Sequence, residues 1–454
     1  MRLNPEHLTS VYPSRFFCRH PIYHYAILKR HIAGVVARHR LCSQHKCGQD
    51  AEQNVRLTVG TPPQEFWSTI DTGTAYTWFP AITCKSPACA NYTLFDAPTS
   101  STFKLNASEP FYTLYGSAQS VNGTGATDVL HLAGHTFPNF DFGYITSSEN
   151  LNAPDITGGL IGMGLRAPAS EAIVPLKTDT FDTLQRNGVT KFALTPGRST
   201  AEGRLALGAV DTAATAEHSD LSYAQLTVKD TQDGTWLGRT SFLGFGSNAS
   251  HSPFPQPVKV FLDTGSGLSM LPAPLVAKLA ATLSLEPFNA GANGATSGNG
   301  TVYPIACEKI PSLPSITFDF NNVTLSVRAE AYVFDSTVLG FGCVLGFIGI
   351  SGPGSCSTET SYDASCFTGI LAGNILRDFY TTWDFENRVV GFASLTALNA
   401  SNTSSVSSSS QPGATSSPVS SSSQPGAATS SESPRLLRPS LWATGVFVVG
   451  VLLA

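Results

Sequence analysis

Two Asp-Thr-Gly motifs, which begin at Asp71 and Asp263, are the residues of this chain best suited to catalysis. A lone Asp-Thr-Gly is often only a hairpin turn. Here each copy ends an alternating apolar run and precedes a second apolar run, so the pair predicts a duplicated lobe that brings two carboxylates face to face. The motif residues are Asp71, Thr72, Gly73 and Thr74 in the first copy and Asp263, Thr264, Gly265 and Ser266 in the second, 192 positions later.

Two adjacent carboxyl groups can hydrolyse an amide without a metal or a covalent nucleophile. One takes a proton from the attacking water while the other protonates the carbonyl oxygen. Like charges so close cannot both ionise cheaply, so the pair shares one proton and titrates as a unit. Glycine after each Asp-Thr lets backbone amides approach the carboxylates. We expect Thr72 and Thr264 to direct hydroxyls to the facing loop, and Thr74 and Ser266 to hydrogen-bond the carboxylates.

Short β runs separated by Gly, Pro, Asn and Asp fill residues 54–393, and they are the elements that would position the two motifs. Helical signals are few, and the clearest predicts a helix over 274–283. The body is therefore predicted to be mostly β. The alternating apolar residues are Val55, Leu57 and Val59 before the first motif and Val258, Val260 and Leu262 before the second.

The size and charge of the chain limit the classes of function it could have. With 454 residues and 42% hydrophobic content, it can form two or three domains with sizeable cores. Residues 1–50 carry eight lysines and arginines against two acids, whereas residues 51–396 carry 17 against 29. An acidic body lacks the clustered basic face that nucleic acid requires, so we predict no nucleic-acid partner.

Cysteine pairs and glycosylation sequons indicate a secreted glycoprotein. Six of the nine cysteines lie in the body in local pairs, as expected in an oxidising compartment. The predicted disulfides are Cys84–Cys89, Cys307–Cys343 and Cys356–Cys366. The predicted N-glycosylation sites are Asn91, Asn106, Asn122, Asn248, Asn299, Asn322, Asn399 and Asn402.

The two ends of the chain differ from the body. Residues 1–50 form an atypical basic segment without a signal-peptide core, which we interpret as a gene-model artefact or a replaced signal and pro region. Residues 397–439 are a Ser/Thr/Pro-rich stalk that cannot bury a core. The hydrophobic tail, 440–454, is short for a transmembrane helix and fits a glycosylphosphatidylinositol attachment signal, with an ordinary hydrophobic C-terminus as the alternative. Attachment could occur at 426–428 or 430–433.

Other candidate sites are weaker. Cys42 and Cys47, with His39 and His45 nearby, match no strong zinc pattern. The glycines of 159–164 lack the lysine of a phosphate loop and are better explained by close packing in the core. We find no Gly-x-Ser-x-Gly motif of a serine hydrolase. We therefore predict no metal and no cofactor.

Residues 52–396 resemble pepsin-type aspartic proteases, in particular the fungal surface-anchored, yapsin-like kind. Residues 55–80 (VRLTVGTPPQEFWSTIDTGTAYTWFP) match the family's first active-site strand, and 258–272 (VKVFLDTGSGLSMLP) match the second. Residues 159–164 and 370–393 resemble the apolar segments that pack behind each catalytic loop. The motifs are highly specific in combination.

The resemblance implies a bilobal, mostly β acid-protease fold with a cleft between lobes at 51–222 and 223–396. It further implies an aspartic endopeptidase with an acidic pH optimum, polypeptide substrates and a membrane association through the lipid anchor, and we expect a monomer. Cys84–Cys89 and Cys307–Cys343 match family disulfides, and Cys356–Cys366 is a local addition. The implied site residues are the catalytic Asp71 and Asp263, the flap residues Tyr115, Gly116 and Ser117, and Trp78 as the partner of the flap tyrosine.

Three points stay open at the level of sequence. Tyr112 rivals Tyr115 for the flap role because the neighbouring spacing is loose. The first motif continues Thr74-Ala75 where the family commonly has two serines, and Asn374 stands where Asp is frequent. The alternative function is a catalytically inactive pepsin-like fold that binds peptides, proteins or the cell wall.

Overall fold

Strands predominate in the computed structural model, which describes residues 53–115, 119–149, 151, 158–166, 173–197, 203–209, 224–227, 236–240, 242–245, 258–289, 301–320, 323–335, 342–350, 369–394 and 405–408. The predicted mostly β class is confirmed. The basic segment 1–50 and the tail 440–454 lie outside the described residues. So do Gly116, Ser117, Cys356, Cys366, Asn248, Asn299, Asn322, Asn399 and Asn402.

The first eight strands form a single sheet. Their bounds are β1 Asn54–Val59, β2 Gln64–Asp71, β3 Trp78–Pro80, β4 Lys104–Leu114, β5 Ser120–Leu132, β6 His135–Glu149, β7 Leu160–Gly162 and β8 Ile173–Val174. The strand order is β1-β2-β7-β3-β6-β5-β4-β8, and β1 also pairs with β5, so the sheet curls back on itself. Val55, Leu57 and Val59 are buried, as their alternation predicts.

The later strands form smaller sheets. Their bounds are β9 Lys191–Thr195, β10 Arg204–Leu207, β11 Ala224–Thr227, β12 Leu237–Thr240, β13 Phe242–Phe245, β14 Val258–Asp263, β15 Ser269–Pro272, β16 Phe288–Asn289, β17 Thr301–Val302, β18 Pro304–Ile305, β19 Ile316–Asp319, β20 Val323–Val327, β21 Val333–Asp335, β22 Cys343–Leu345, β23 Phe347–Ile350, β24 Gly369–Ala372, β25 Phe379–Asp384, β26 Val389–Ser394 and β27 Ser405–Ser408. The sheet that carries the second motif has the order β12-β14-β24-β15-β23. The others are β13-β19-β20-β27, β18-β22-β21 and β16-β17.

One five-stranded sheet joins the two halves of the chain. Its order, β10-β9-β25-β26-β11, places the late strands β25 and β26 between β9 and β11. Aromatic side chains pack across this joint: Phe192 stacks on Trp383 with ring centroids 5.7 Å apart, and Trp236 meets Trp383 edge-on at 5.2 Å. The hydrophobic core is therefore continuous from the first-motif sheet to the last strands.

Helices in the described part of the chain are short. Their bounds are α1 Thr180–Arg186, α2 Ala273–Thr282, α3 Ala329–Tyr332 and α4 Gly373–Leu376, with 3-10 turns at Pro87–Asn91, Ala97–Thr99 and Cys307–Ser312. The helix predicted over 274–283 is confirmed as α2, shifted by one residue. Helix α1 begins at a capping box in which Asp179 and Asp182 each accept the other's backbone amide. None of the helices described combines the length and apolar character needed to cross a membrane.

Two covalent links and one added strand complete the described fold. Disulfides join Cys84 to Cys89 and Cys307 to Cys343. Strand β27, from the serine-rich segment, pairs antiparallel with β20. The sequence predicts a stalk over 397–439, and in the structure its Ser405–Ser408 part pairs with the edge of a sheet. Edge pairing needs only backbone groups, so it requires no apolar side chains.

Candidate active site

Both motif aspartates are the last residues of strands that pair in parallel with a buried strand. Asp71 ends β2 and lies opposite Gly162 of β7, while Asp263 ends β14 and lies opposite Ala372 of β24. After each aspartate the chain turns and returns through a short strand, β3 or β15, which pairs antiparallel with the same buried strand. The local construction around the two aspartates is therefore the same in both halves.

Reciprocal hydrogen bonds tie the two motifs together. The Thr72 amide donates to Thr264 Oγ1 at 3.1 Å, and the Thr264 amide donates to Thr72 Oγ1 at 3.0 Å. Each hydroxyl then donates onward to the opposite strand, Thr72 to the Leu262 carbonyl at 2.8 Å and Thr264 to the Ile70 carbonyl at 2.7 Å. Both threonines are fully buried, so these four bonds are sheltered from water. They hold the two turns at a fixed separation.

The carboxylates lie against the glycines of the facing motif. A methyl group placed on Gly73 would come within 2.8 Å of both Asp263 oxygens, and one on Gly265 would come within 2.7 Å of both Asp71 oxygens. Within each motif, the glycine amide donates to its own aspartate, at 2.7 Å from Gly73 and 2.9 Å from Gly265. Both carboxylates thus contact both glycines, and only a residue without Cβ leaves room for them.

Neighbouring hydrogen bonds fix the orientation of the turns. Ser266 Oγ donates to Asp263 Oδ2 at 2.8 Å, and the Ser266 carbonyl accepts the Gly373 amide. In the first motif, the Thr74 carbonyl accepts the Gly164 amide at 2.6 Å. Asp71 is buried and Asp263 is partly buried. Asp263 is therefore the more solvent-accessible member of the pair.

The β4–β5 hairpin brings Tyr115 to the first motif. The Tyr115 amide donates to the Gln119 carbonyl across the hairpin end at 2.8 Å, and Trp78 Nε1 donates to the Tyr115 hydroxyl at 2.7 Å. Burial, and secondarily the negative charge of nearby Asp71, raises the pKa of Tyr115 far above its usual range. The phenol therefore stays protonated, so it can donate its O–H to a ligand while its oxygen accepts from Trp78. Tyr112 instead pairs with Asn122 within the sheet.

Comparison with known proteins decides the family. Residues 54–395 match the family described as eukaryotic aspartyl protease. The chain belongs to this family. Chymosin of Camelus dromedarius is 26% identical over 377 residues, which cover 81% of this chain and 87% of chymosin. Vacuolar protease A of Aspergillus fumigatus is 26% identical over 380 residues (82% and 86%), and gastricsin of Homo sapiens is 28% identical over 353 residues (76% and 81%).

Membership makes the chain an aspartic endopeptidase of the pepsin-like type, with the bilobal β fold of that family. The motifs that carry the resemblance are those that the structure brings together, with Asp71 and Asp263 at the junction of the two halves. Within the described ranges, no group of three His, Cys, Asp or Glu side chains is placed to hold a metal ion. The chemistry available at this junction is that of two carboxyl groups, buried threonines and backbone amides.

The structure also shows that the buried side-chain amide of Asn374 supports the second motif of the protease. From sequence, Asn374 is only a position where the chain departs from the family. Asn374 is fully buried; its Oδ1 accepts from Ser269 Oγ at 2.8 Å, and its Nδ2 donates to the Gly346 carbonyl at 2.9 Å. Ser269 Oγ in turn accepts the Ala372 amide at 3.0 Å. The Asn374 side chain therefore joins β15, β24 and the β22–β23 turn behind Asp263.

Tyr115→Phe is expected to lower kcat/KM about tenfold, because loss of one hydrogen bond of about 1.4 kcal/mol corresponds to a factor of ten. The hydroxyl that accepts from Trp78 Nε1 disappears while the ring stays. The matched control is Tyr112→Phe, which we expect to keep wild-type kinetics. Steady-state cleavage of a peptide by both variants measures the difference. A larger loss from Tyr112→Phe would assign the flap role to Tyr112.

Asn374→Asp is expected to make stability depend on pH. Burial raises the pKa of a carboxyl above its unfolded value of about 4, so the folded state binds more protons and stability falls as pH rises. The protonated acid can still donate to Gly346, whereas the carboxylate cannot. We expect near wild-type stability at about pH 3 and a loss of about 1–3 kcal/mol at pH 7. Urea unfolding at both pH values measures this.

The control for that prediction is Asn374→Ala, which has no titrating group. Its free energy of unfolding should be lower than wild type by the same amount at both pH values. We call the hydrogen bonds of Asn374 to Ser269 and Gly346 the Asn374 clamp. If the stability deficit of Asn374→Asp were also independent of pH, the side chain at 374 would be in contact with water and the Asn374 clamp would not hold the second motif.

Proposed function

We propose that Asp71 and Asp263 are the catalytic pair of this endopeptidase. The observation that supports the proposal is that both carboxylates contact both motif glycines, Gly73 and Gly265, across the hydrogen-bonded turns. Groups held so close share one proton, since two negative charges at that separation repel strongly. A water molecule bound between them would be in reach of both.

In the proposed reaction, the ionised carboxylate takes a proton from the bound water as the water oxygen attacks the peptide carbonyl carbon. The protonated carboxyl gives its proton to the carbonyl oxygen, which forms a tetrahedral diol. Collapse of the diol breaks the C–N bond: the amine leaves with the proton that the first carboxyl took from water, and one diol hydroxyl returns its proton to the second carboxylate as the new carboxyl group forms, so the pair again holds one proton. Tyr115, held by Trp78, would close over an extended peptide and donate a hydrogen bond to it.

The pH profile of the secreted full-length chain tests this mechanism. Because the pair must hold one proton, kcat/KM on an unfolded protein substrate should peak below pH 7 and fall as the second carboxyl ionises. Pepstatin, an inhibitor of two-carboxylate proteases, should abolish the cleavage. Maximal cleavage above neutrality, or indifference to pepstatin, would contradict the mechanism. Peptide binding without any cleavage would instead support the inactive, binding alternative.

We further propose that the enzyme is secreted and anchored at the cell surface, as in the fungal yapsin-like branch. Disulfides, sequons, the serine-rich segment and the hydrophobic tail support this proposal. Phosphatidylinositol-specific phospholipase C should release active enzyme from intact cells that express the full chain. Enzyme that stays on the cells after this treatment would contradict the lipid anchor and leave the catalytic proposal intact.

A further inference from the structure

Four residues form a continuous row across the sheet that carries the flap hairpin. Ser147 of β6 pairs with Asn122 of β5, Asn122 pairs with Tyr112 of β4, and Tyr112 pairs with Val174 of β8. Directly paired residues in a sheet place their side chains on the same face. We call these four residues the outer row. It crosses the hairpin a few residues before the end that carries Tyr115.

The outer row faces solvent and includes apolar surface. Asn122 and Ser147 are exposed, Tyr112 is partly buried and Val174 is 39% exposed. Leu114, two residues after Tyr112 and therefore on the same face, is 43% exposed. The opposite face of the hairpin is buried, since Phe111, Thr113 and Val121 point into the core. Covering these neighbouring apolar side chains would remove apolar area from water and would therefore be favourable.

Asn122 is also the acceptor residue of a sequon, Asn122-Gly123-Thr124, in the middle of this row. The sequon at Asn106 has a different setting. There the amide Nδ2 donates to Glu109 and the Ser108 hydroxyl donates to Asn106 Oδ1 at 2.9 Å, so both sequon side chains are engaged within a strand irregularity. Asn91 is exposed at the end of a 3-10 turn. It provides a second exposed sequon, on a turn and outside the outer row, for comparison.

We propose that Asn122 carries an N-linked glycan that lies across the outer row and covers Tyr112, Leu114 and Val174. The glycan forms when the Asn122 amide nitrogen loses a proton and bonds to the anomeric carbon of an oligosaccharide, which leaves a lipid-linked pyrophosphate donor. This inference rests on the proposed passage of the protein through the secretory route. Sugar rings present C–H faces to aliphatic and aromatic side chains and hydroxyls to water, which suits a half-apolar surface.

The position of the glycan leaves the cleft open. It projects from the face opposite Val121, whose side chain is in the core, so it lies outside the hairpin, whereas Tyr115 reaches Trp78 and Asp71 on the inside. The glycan covers apolar side chains on both β4 and β8. It therefore stabilises the pairing of β8 with strand β4 of the hairpin. Its removal should therefore expose apolar surface and loosen β4 and β8 without blocking or opening a route to the carboxylates.

The experiment compares Asn122→Gln with the matched control Asn91→Gln in the full chain secreted from a eukaryotic host. Peptide mass mapping of the wild type should find a glycan on Asn122. Asn122→Gln should bind a hydrophobic dye several-fold more strongly and exchange amide hydrogens of 104–114 and 173–174 about tenfold faster, while Asn91→Gln should match the wild type. Adding Leu114→Ser and Val174→Ser to Asn122→Gln should return dye binding to the wild-type level.

The possible results distinguish a failure of this inference from a failure of the proposed secretion. An Asn122 without a glycan in the secreted wild type overturns the inference and leaves secretion supported, whereas a wild-type chain that is retained inside the host contradicts the proposed secretion itself. A modified Asn122 whose removal changes neither dye binding nor exchange overturns the covering role. If Asn122→Gln is not secreted, peptide N-glycosidase treatment of the folded wild-type enzyme gives the same comparison.

Discussion

Asp71→Asn and Asp263→Asn are each expected to lower kcat by about 10²- to 10⁴-fold, the range that positioned proton transfer contributes. An amide has nearly the same shape as a carboxyl group, and its oxygen can still accept from the Gly73 or Gly265 amide. It can neither take a proton from water nor give one to the carbonyl oxygen. The loss should therefore appear in kcat, with KM changed little and thermal unfolding close to wild type.

Glu65→Gln is the matched control for the two aspartate variants, because it makes the same carboxylate-to-amide change at an exposed surface ion pair with Arg56. Its kcat should equal that of the wild type. Single-turnover cleavage of a peptide by purified variants separates chemistry from product release. Substantial cleavage by either aspartate variant would show that its aspartate is not catalytic. An equal loss of kcat in all three variants would indicate a general effect of removing one negative charge.

Thr264→Ala is expected to destabilise the fold by about 2–6 kcal/mol and to abolish cleavage. The Thr264 hydroxyl accepts the Thr72 amide and donates to the Ile70 carbonyl, and its removal leaves two buried groups unpaired at about 1–3 kcal/mol each. Without these bonds the first motif loses its fixed position relative to the second. Urea unfolding of the purified variant, together with its kcat, measures both consequences.

Thr264→Ser keeps the hydroxyl and removes only a methyl group, so its stability should stay within about 1 kcal/mol of wild type with measurable cleavage. The alanine and serine variants together distinguish hydrogen bonding from packing. If the free energy of unfolding fell by the same amount in both variants, the loss would come from the missing methyl group. The reciprocal hydrogen bonds would then not be what holds the two motifs together. A normal kcat in the alanine variant would show that the hydrogen bonds between Thr72 and Thr264 are not needed to position the two carboxylates.

Much of the site could be predicted from sequence because its signals are local. Strands β1 and β14 follow from alternation, and the two motifs follow from their repeated context. The choice between Tyr112 and Tyr115 could not be made, because both lie near the end of the same hairpin. In the structure, Trp78 Nε1 donates to the Tyr115 hydroxyl, which favours Tyr115, and the two Tyr→Phe variants test that choice.

Long-range pairing explains most of what the sequence did not predict. The clamp at Asn374 depends on Gly346 and Ser269, which are distant in the chain and carry no common signal. The pairing of β27 with β20 uses backbone groups alone, so a serine run gives no indication of it. Helix α1 is different, because Asp179 and Asp182 have the spacing of a capping box and could have predicted its start.

The sheet shared by the two halves controls when this enzyme can first act during its synthesis. Strand β9 lies in the first half of the chain and pairs with β10 on one side. Its neighbour on the other side, β25, is translated almost two hundred residues later. Closing so long a loop is slow and needs the distant segment to have left the ribosome. The sheet that holds Asp263 is likewise incomplete until β24 has been translated, so nascent chains and fragments that end before β24 are expected to be inactive.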